Sequence, residues 1–326
     1  MEETMRPRRL ATRREHADRV FRGAIRSGGA LVLLIMLFVG VFLLLRAKDA
    51  LGIAGIRFFT TQAWEPDSGN FGIAAVIIGT SLIALVAVTF AVPLALGTAL
   101  YISEYAPLRM RASLTTLVDL MAAVPSVVFG LWGVFYLQDK VVPVAQWIST
   151  VLGWIPVFNV PSVDPRDPLT STTAYTSSTF IAGLVVAMMI TPIMTSIMRE
   201  VFMQAPLGER EGALALGSTR WGMIRSVVLP YGAGGIIGGT MLGLGRALGE
   251  TIAVYMIISP VFEIQPHILQ NGANSVSALI ALRYGEATPI GMSALMAAGL
   301  ALFLMTLAVN FAASIIVSRS RSGADS

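Results

Sequence analysis

Residues 243–254 read GLGRALGETIAV and set Arg246 and Glu250 inside a long apolar run. An arginine at the bilayer centre costs about 2.5–3.5 kcal/mol on insertion scales, and such charges almost always face a bundle interior or a wet cavity. The four-residue spacing predicts that both side chains share one face of one helix, where the carboxylate holds the guanidinium and offsets its charge. The guanidinium offers a planar fork of donors suited to a tetrahedral oxyanion. The alternative is a buried ion pair that merely sits in an interface, although desolvation makes such pairs poor stabilisers. The favoured reading makes Arg246 a transient anion contact on a substrate pathway, and Glu250 its orienter and counter-charge.

Other chemistries lack their residues. Cysteine is absent, which excludes disulfides, thiol chemistry and Cys-based metal sites. His16 and His267 are far apart in sequence, so no histidine metal site is expected. No G-x-x-x-x-G-K-[ST] occurs, so the chain carries no P-loop for ATP. GLGRALG superficially resembles a dinucleotide fingerprint, but it reads G-x-G-x-x-x-G and follows no strand. Neither G-x-S-x-G nor H-E-x-x-H is present. The chain is expected not to be an enzyme and to hold no cofactor or metal of its own. Among other charges, Asp119 precedes the AAVPS stretch near a membrane face, and Glu104, Arg109 and Arg111 read as interfacial. The methionines are scattered and read as core filler.

The elements that must carry these residues are membrane helices. Of the 326 residues, 55% are hydrophobic and 13% charged, with a mean hydropathy of +0.73. Soluble domains carry roughly 25% charge. The chain is an all-α integral membrane protein by composition. Crossing ~30 Å of hydrocarbon takes about 20 helical residues. Six segments suffice, near 28–45, 72–102, 113–137, 177–198, 232–258 and 289–317. The first reads as a retained helix, because no small-residue cleavage site follows it. This divides the chain into a basic tail (1–27), a first helix with its external loop (28–71), a five-helix core (72–318) containing a cytoplasmic loop (199–231), and a short tail (319–326).

Sixteen of the 23 Lys and Arg lie on one side of these helices and six on the other. That bias places both termini in the cytoplasm. The long external loop 138–176, with Trp147, Trp154 and Pro156, Pro161, Pro165 and Pro168, reads as an interfacial aromatic anchor, or as a contact for an external partner. Pro125 and Pro192 fall inside the third and fourth crossings as candidate hinges, although membrane helices also tolerate proline without such a use. In the fifth crossing, Gly234/Gly238, Gly235/Gly239, Gly239/Gly243 and Gly245/Gly249 are small-xxx-small pairs. They predict a central, closely packed helix.

The most specific motif is cytoplasmic. Residues 209–231 read EREGALALGSTRWGMIRSVVLPY, which contains E-x-A-x₃-G-x₉-V-x-L-P through Glu211, Ala213, Gly217, Val227, Leu229 and Pro230. A short helix is predicted here, with Ala213, Leu214 and Leu216 available to a partner groove. Gly217 supplies a sharp turn, because glycine alone takes positive φ at little cost. Leu229–Pro230 is expected to break the helix before the next crossing. This loop resembles the signature loop of bacterial ATP-binding-cassette (ABC) importer permeases. Gly212 stands where that family usually has Ala, and Val227 where Ile is common.

AAVPSVVFGLWG (122–133), ITPIMTSIMRE (190–200) and GRALGETIAV (245–254) further resemble the Pst phosphate importer permeases, and WEPDSGNFGI (64–73) resembles their C-type subunit. The resemblance implies six transmembrane helices in the MetI-like permease fold and a multi-pass place in a bacterial plasma membrane. It implies a second, A-type permease, two ATP-binding subunits gripping Glu211–Pro230, and an external phosphate-binding protein. In this family the Arg and Glu of GRALGET are those implicated in phosphate passage. A sulfate or molybdate importer would use the same arginine chemistry. An added role in signalling phosphate status also stays open. A gradient-driven transporter or channel would be favoured by internal inverted repeats, and none is apparent.

Overall fold

The computed structural model describes residues 16–161, 163–167 and 171–321. The arginine-rich stretch Arg6–Arg14, Pro168 and the last residues of the C-terminal tail lie outside them. Twelve helices follow one another: α1 (His16–Ala54), α2 (Ala74–Leu100), α3 (Leu108–Ala122), α4 (Ser126–Trp132), α5 (Gln138–Leu152), α6 (Thr179–Met203), α7 (Leu207–Ala215), α8 (Arg220–Met223), α9 (Leu229–Gly249), α10 (Ile252–Ile257), α11 (Val276–Arg283) and α12 (Pro289–Arg321). A short antiparallel hairpin, β1 (Trp64–Glu65) with β2 (Asn70–Phe71), sits before α2. Six helical runs are long and apolar enough to cross a membrane: Arg19–Phe59, Ala74–Tyr105, Ser126–Leu152, Thr179–Met203, Arg220–Gly249 and Pro289–Ala312.

α6 is the centre of the bundle, with α2, α3 and α9 packed around it. The interface with α2 rests on small residues. Ala87, Ala91, Ala95 and Ala99 repeat every four residues along α2 and are fully buried in one core with Ile190, Met194 and Met198 of α6. Every fourth residue lies on one helix face, and alanines there let two backbones approach. Where α9 meets α6, a methyl added at Gly235 would stand 2.6 Å from Val201, and one at Gly243 2.5 Å from Met194 Sδ. Gly238 and Gly249 have nothing within 4 Å. The fifth crossing is therefore not the centre of this chain. One glycine stripe docks it on α6, and another face stays open. α1 packs on α12 at the periphery, and none of its apolar window is buried.

Two predicted crossings are interrupted. The third does not run over 113–137. α3 stops at Ala122, Pro125 takes the extended conformation that starts α4, and helix then continues to Leu152. Proline disfavours helix in the residue before it, so Pro125 separates two helices rather than kinking one. The loop predicted over 138–176 is shorter, because α5 carries the helix through Asp139 and Lys140 and places Trp147 on its exposed surface. Pro192 does lie inside a helix, as do Pro93 and Pro143. The fifth crossing starts earlier and ends sooner than 232–258. Leu229–Pro230 does not break it, since helix runs from Arg220 to Gly249 with Pro230 in the first turn of α9. A π turn at Ile224–Val228 precedes that proline and changes the hydrogen-bonding register where proline offers no N–H. The break falls instead at Glu250, whose backbone is extended.

Candidate functional site

Arg246 occupies the last turn of α9. It is exposed and makes no hydrogen bond or ion pair among the described residues. It lines a groove of about 590 Å³ with Ile193 of α6, Met241, Leu242 and Gly245 of α9, and Thr306 and Asn310 of α12. Ile193 lies ten residues from the Met203 end of α6. At 1.5 Å per residue that is ~15 Å, or half of a ~30 Å hydrocarbon layer. The guanidinium thus sits at mid-span in a largely apolar groove, accompanied by one amide and one hydroxyl. The helix supports it, because a cation in the last turn faces the negative end of the α9 macrodipole.

Glu250 does not share the Arg246 helix face, and no ion pair joins them. The helix ends at Gly249, so the four-residue rule no longer applies across the break. Glu250 is buried, and its Oε1 accepts the Ala253 N–H at 3.2 Å in the first turn of α10. Its carbonyl accepts the Ser277 hydroxyl at 2.7 Å. The carboxylate therefore satisfies one of the N–H groups that a helix start leaves free. Its place in the structure is to fix how α10 leaves α9.

The signature residues of 209–231 form the expected short helix, α7. Gly217 has φ +85°. Its N–H bonds the Leu214 carbonyl at 3.0 Å, and the Ser218 N–H bonds Ala213 at 3.1 Å. This paired pattern is a Schellman ending, which needs a left-handed residue at that position. Thr219 then caps α8 by accepting the Gly222 N–H at 3.1 Å. Glu211, Leu214 and Leu216 face outward, Leu216 being 89% exposed. Ala213 does not, because it is half-buried against the main core. Leu229 packs on that core too, while Pro230 is exposed.

The sequence reading took Glu104 as interfacial and passed over Arg210. Glu104 lies in a π turn, Tyr101–Tyr105, that extends α2. Its side chain is 5% exposed, and its Oε1 stands 3.2 Å from Arg210 Nη1 of α7. It is not a free interfacial charge. A single glutamate ending an apolar run was the available signal, but its partner lies 106 positions away. Asp119 sits on an exposed face of α3, where its Oδ1 accepts the Ser196 hydroxyl at 3.1 Å; Arg199 donates to Thr115 at 2.6 Å beside it. These bonds tie α3 to α6.

Residues 91–322 match the family described as binding-protein-dependent transport system inner membrane component. The phosphate transport system permease protein PstC 2 of Mycobacterium tuberculosis is 38% identical over 310 residues, covering 94% of this chain and 93% of its own. PstC of Mycobacterium leprae is 39% identical, with 92% of each chain covered. PstC of Xylella fastidiosa is 36% identical, covering 97% of this chain and 95% of its own. In fold, the chain is similar to a bacterial ABC transporter involved in the import of the acidic polysaccharide alginate, with a TM-score of 0.56 at 17% identity over 92% of this chain and 99% of that one. It is also similar to an inward-facing MetNI methionine ABC transporter, with a TM-score of 0.53 at 12% identity over 76% and 95%. The architecture is the ABC importer permease fold, and the six spans make the chain a multi-pass inner-membrane protein. With its relatives matched over nearly their whole length, the chain belongs to the PstC family of phosphate transport system permeases.

Proposed function

We propose that this chain forms one half of the pathway by which an ATP-driven importer moves inorganic phosphate into the cell. The observation that carries the reading is Arg246, a mid-span cation with no partner among the described residues, open to a groove that also holds Thr306 and Asn310. The names of the relatives supply the substrate. Arg246 meets the anion, and the amide of Asn310 offers it a further donor, while the Thr306 hydroxyl donates to the Phe303 carbonyl at 2.9 Å. The open face of α9, with Gly238 and Gly249, receives the homologous A-type permease, which closes the pathway from the other side.

The energetics require further subunits. Moving one negative charge inward against the membrane potential costs about 2.3 kcal/mol per 100 mV, and a phosphate dianion costs about twice that. The chain is a non-hydrolytic subunit without a nucleotide site, so two ATPase subunits supply the energy through α7. Glu211, Leu214, Leu216 and the Gly217 turn present that helix to them, and an external binding protein delivers phosphate. The lysine and arginine bias supports a cytoplasmic place for both termini and α7.

The test is uptake of labelled phosphate at micromolar concentration in cells lacking the gene, with wild type or Arg246→Gln restored and complex assembly checked. Removing one charge-assisted contact is expected to lower uptake by roughly ten- to a hundredfold, in line with about 1.5–3 kcal/mol for a hydrogen bond to a charged group. Unlabelled sulfate and molybdate are expected not to compete. Normal transport by Arg246→Gln would remove the anion contact. Competition by sulfate or molybdate would replace phosphate as the substrate.

A further inference from the structure

We infer that the π turn Tyr101–Tyr105 at the end of α2 is the receiver through which the cytoplasmic loop moves the membrane helices, with Glu104 as its positioning residue. The inference rests on the ATP-driven reading above. Both arms of the loop reach this turn. From α7, Arg210 Nη1 stands 3.2 Å from Glu104 Oε1 and donates to Oε2 at 3.4 Å. From α8, the Arg220 guanidinium lies 5.5 Å from the centre of the Tyr105 ring. The same Arg210 donates through Nη2 to the Phe202 carbonyl near the end of α6. One guanidinium thus joins α7 to the ends of the two helices that form the centre of the bundle.

The pair is a poor choice for stability alone. Glu104 Oε1 and Arg210 Nε are buried, and neither has a well-formed hydrogen bond among the described residues. Removing two charges from water without satisfying them gains little and often costs stability. A tie of this kind does fix direction. It is attractive over distance, and it holds α7 to α2 in one register. A π turn carries one residue more than an α turn and sits at a place where helices readily change register. Beyond the turn, the alanine stripe Ala87–Ala99 locks α2 against α6. Close-packed interfaces transmit displacement rather than absorb it. A pull on Glu104 therefore reaches α6, and through it the Ile193 wall of the Arg246 groove.

The chain has no native cysteine, so a single Leu242→Cys reports on that groove. The whole importer would be reconstituted in vesicles with this reporter and either Glu104, Glu104→Asp or Glu104→Gln. Labelling of the cysteine by a water-soluble maleimide would be measured with and without ATP, beside the rate of ATP hydrolysis. With Glu104 or Glu104→Asp, ATP is expected to change the labelling rate at least about fivefold, the lower end of ordinary coupling between sites. With Glu104→Gln the change is expected to fall below about twofold while hydrolysis persists. That combination is uncoupling, which a merely structural tie would not produce. Overturning results are an undiminished response in Glu104→Gln, or labelling response and hydrolysis falling together with the amount of assembled complex. Phosphate uptake is read separately, in vesicles whose importer keeps Leu242. A nucleotide-dependent response without phosphate uptake would sink the substrate reading and leave the receiver in place.

Discussion

Arg246 stands exposed at mid-span with no partner among the described residues, whereas Arg210, on a helix outside the apolar spans, turns inward onto Glu104 and Phe202. One guanidinium is left open in the region where an unpaired charge costs most. The other is paired and largely buried at the end of a span, its carboxylate 5% exposed. Stability alone favours neither arrangement, because an unpaired intramembrane charge is expensive and a buried pair gains little over its desolvation cost. The two proposals give each a use, the first for a mobile anion and the second for a mechanical joint. The sharpest test compares their removal. Arg210→Ala leaves a 5% exposed carboxylate without its counter-ion, and breaking a buried pair in this way costs about 3 kcal/mol. Arg246→Ala removes an exposed side chain that supports nothing in the fold, so stability is expected to change by less than about 0.5 kcal/mol. Thermal inactivation midpoints of the purified complex would show it. Equal losses would break the comparison.

These two arginines also mark how far the sequence could be read. Arg246 is conspicuous, since a lone charge in an apolar run breaks a pattern. Arg210 is one charge among several in a polar loop, and nothing local pairs it with Glu104. The six spans were legible for a similar reason, because hydrophobic length survives any detail of packing. The interruptions were not. Apolar residues resume at Ile252, so the predicted crossing ran on past Gly249 and Glu250 and the end of α9 went unread. At α5 the reverse happened, and Gln138, Asp139 and Lys140 ended the apolar count while the helix continued. The Gly217 turn was legible because one residue type at one spacing carries the conformation.

That turn gives an intermediate effect on the α7 side of the comparison. Gly217→Ala forces a Cβ into φ +85°, which costs about 1–2 kcal/mol. With the Schellman ending weakened, α7 is expected to bind the ATPase subunits at least about fivefold less tightly, as about 1 kcal/mol implies. Gly212 lies in the same helix, has nothing within 4 Å of an added methyl and has no positive φ. Gly212→Ala is therefore expected to stabilise α7 by about 0.5–1 kcal/mol. Co-purification of the ATPase subunits with each variant would measure both. Losses of similar size at the two glycines would mean that backbone geometry is not what presents α7.

The smallest effect is expected at Glu250, where two readings of one carboxylate part company. A counter-charge to Arg246 needs the negative charge itself. A cap on α10 needs only an acceptor oxygen for the Ala253 N–H, now 3.2 Å away. Glu250→Gln keeps that oxygen and removes the charge. Glu250→Ala removes both, and loss of a helix cap costs about 1 kcal/mol. With the carboxylate acting as a cap, phosphate uptake with Glu250→Gln is expected to stay within about twofold of wild type. Glu250→Ala then falls further, as the start of α10 loosens beside α4. A collapse of uptake in Glu250→Gln with the complex intact would mean that α9 and α10 straighten during transport. The carboxylate would then swing onto the Arg246 face, and the spacing of GRALGE would describe a state reached only with the anion in place.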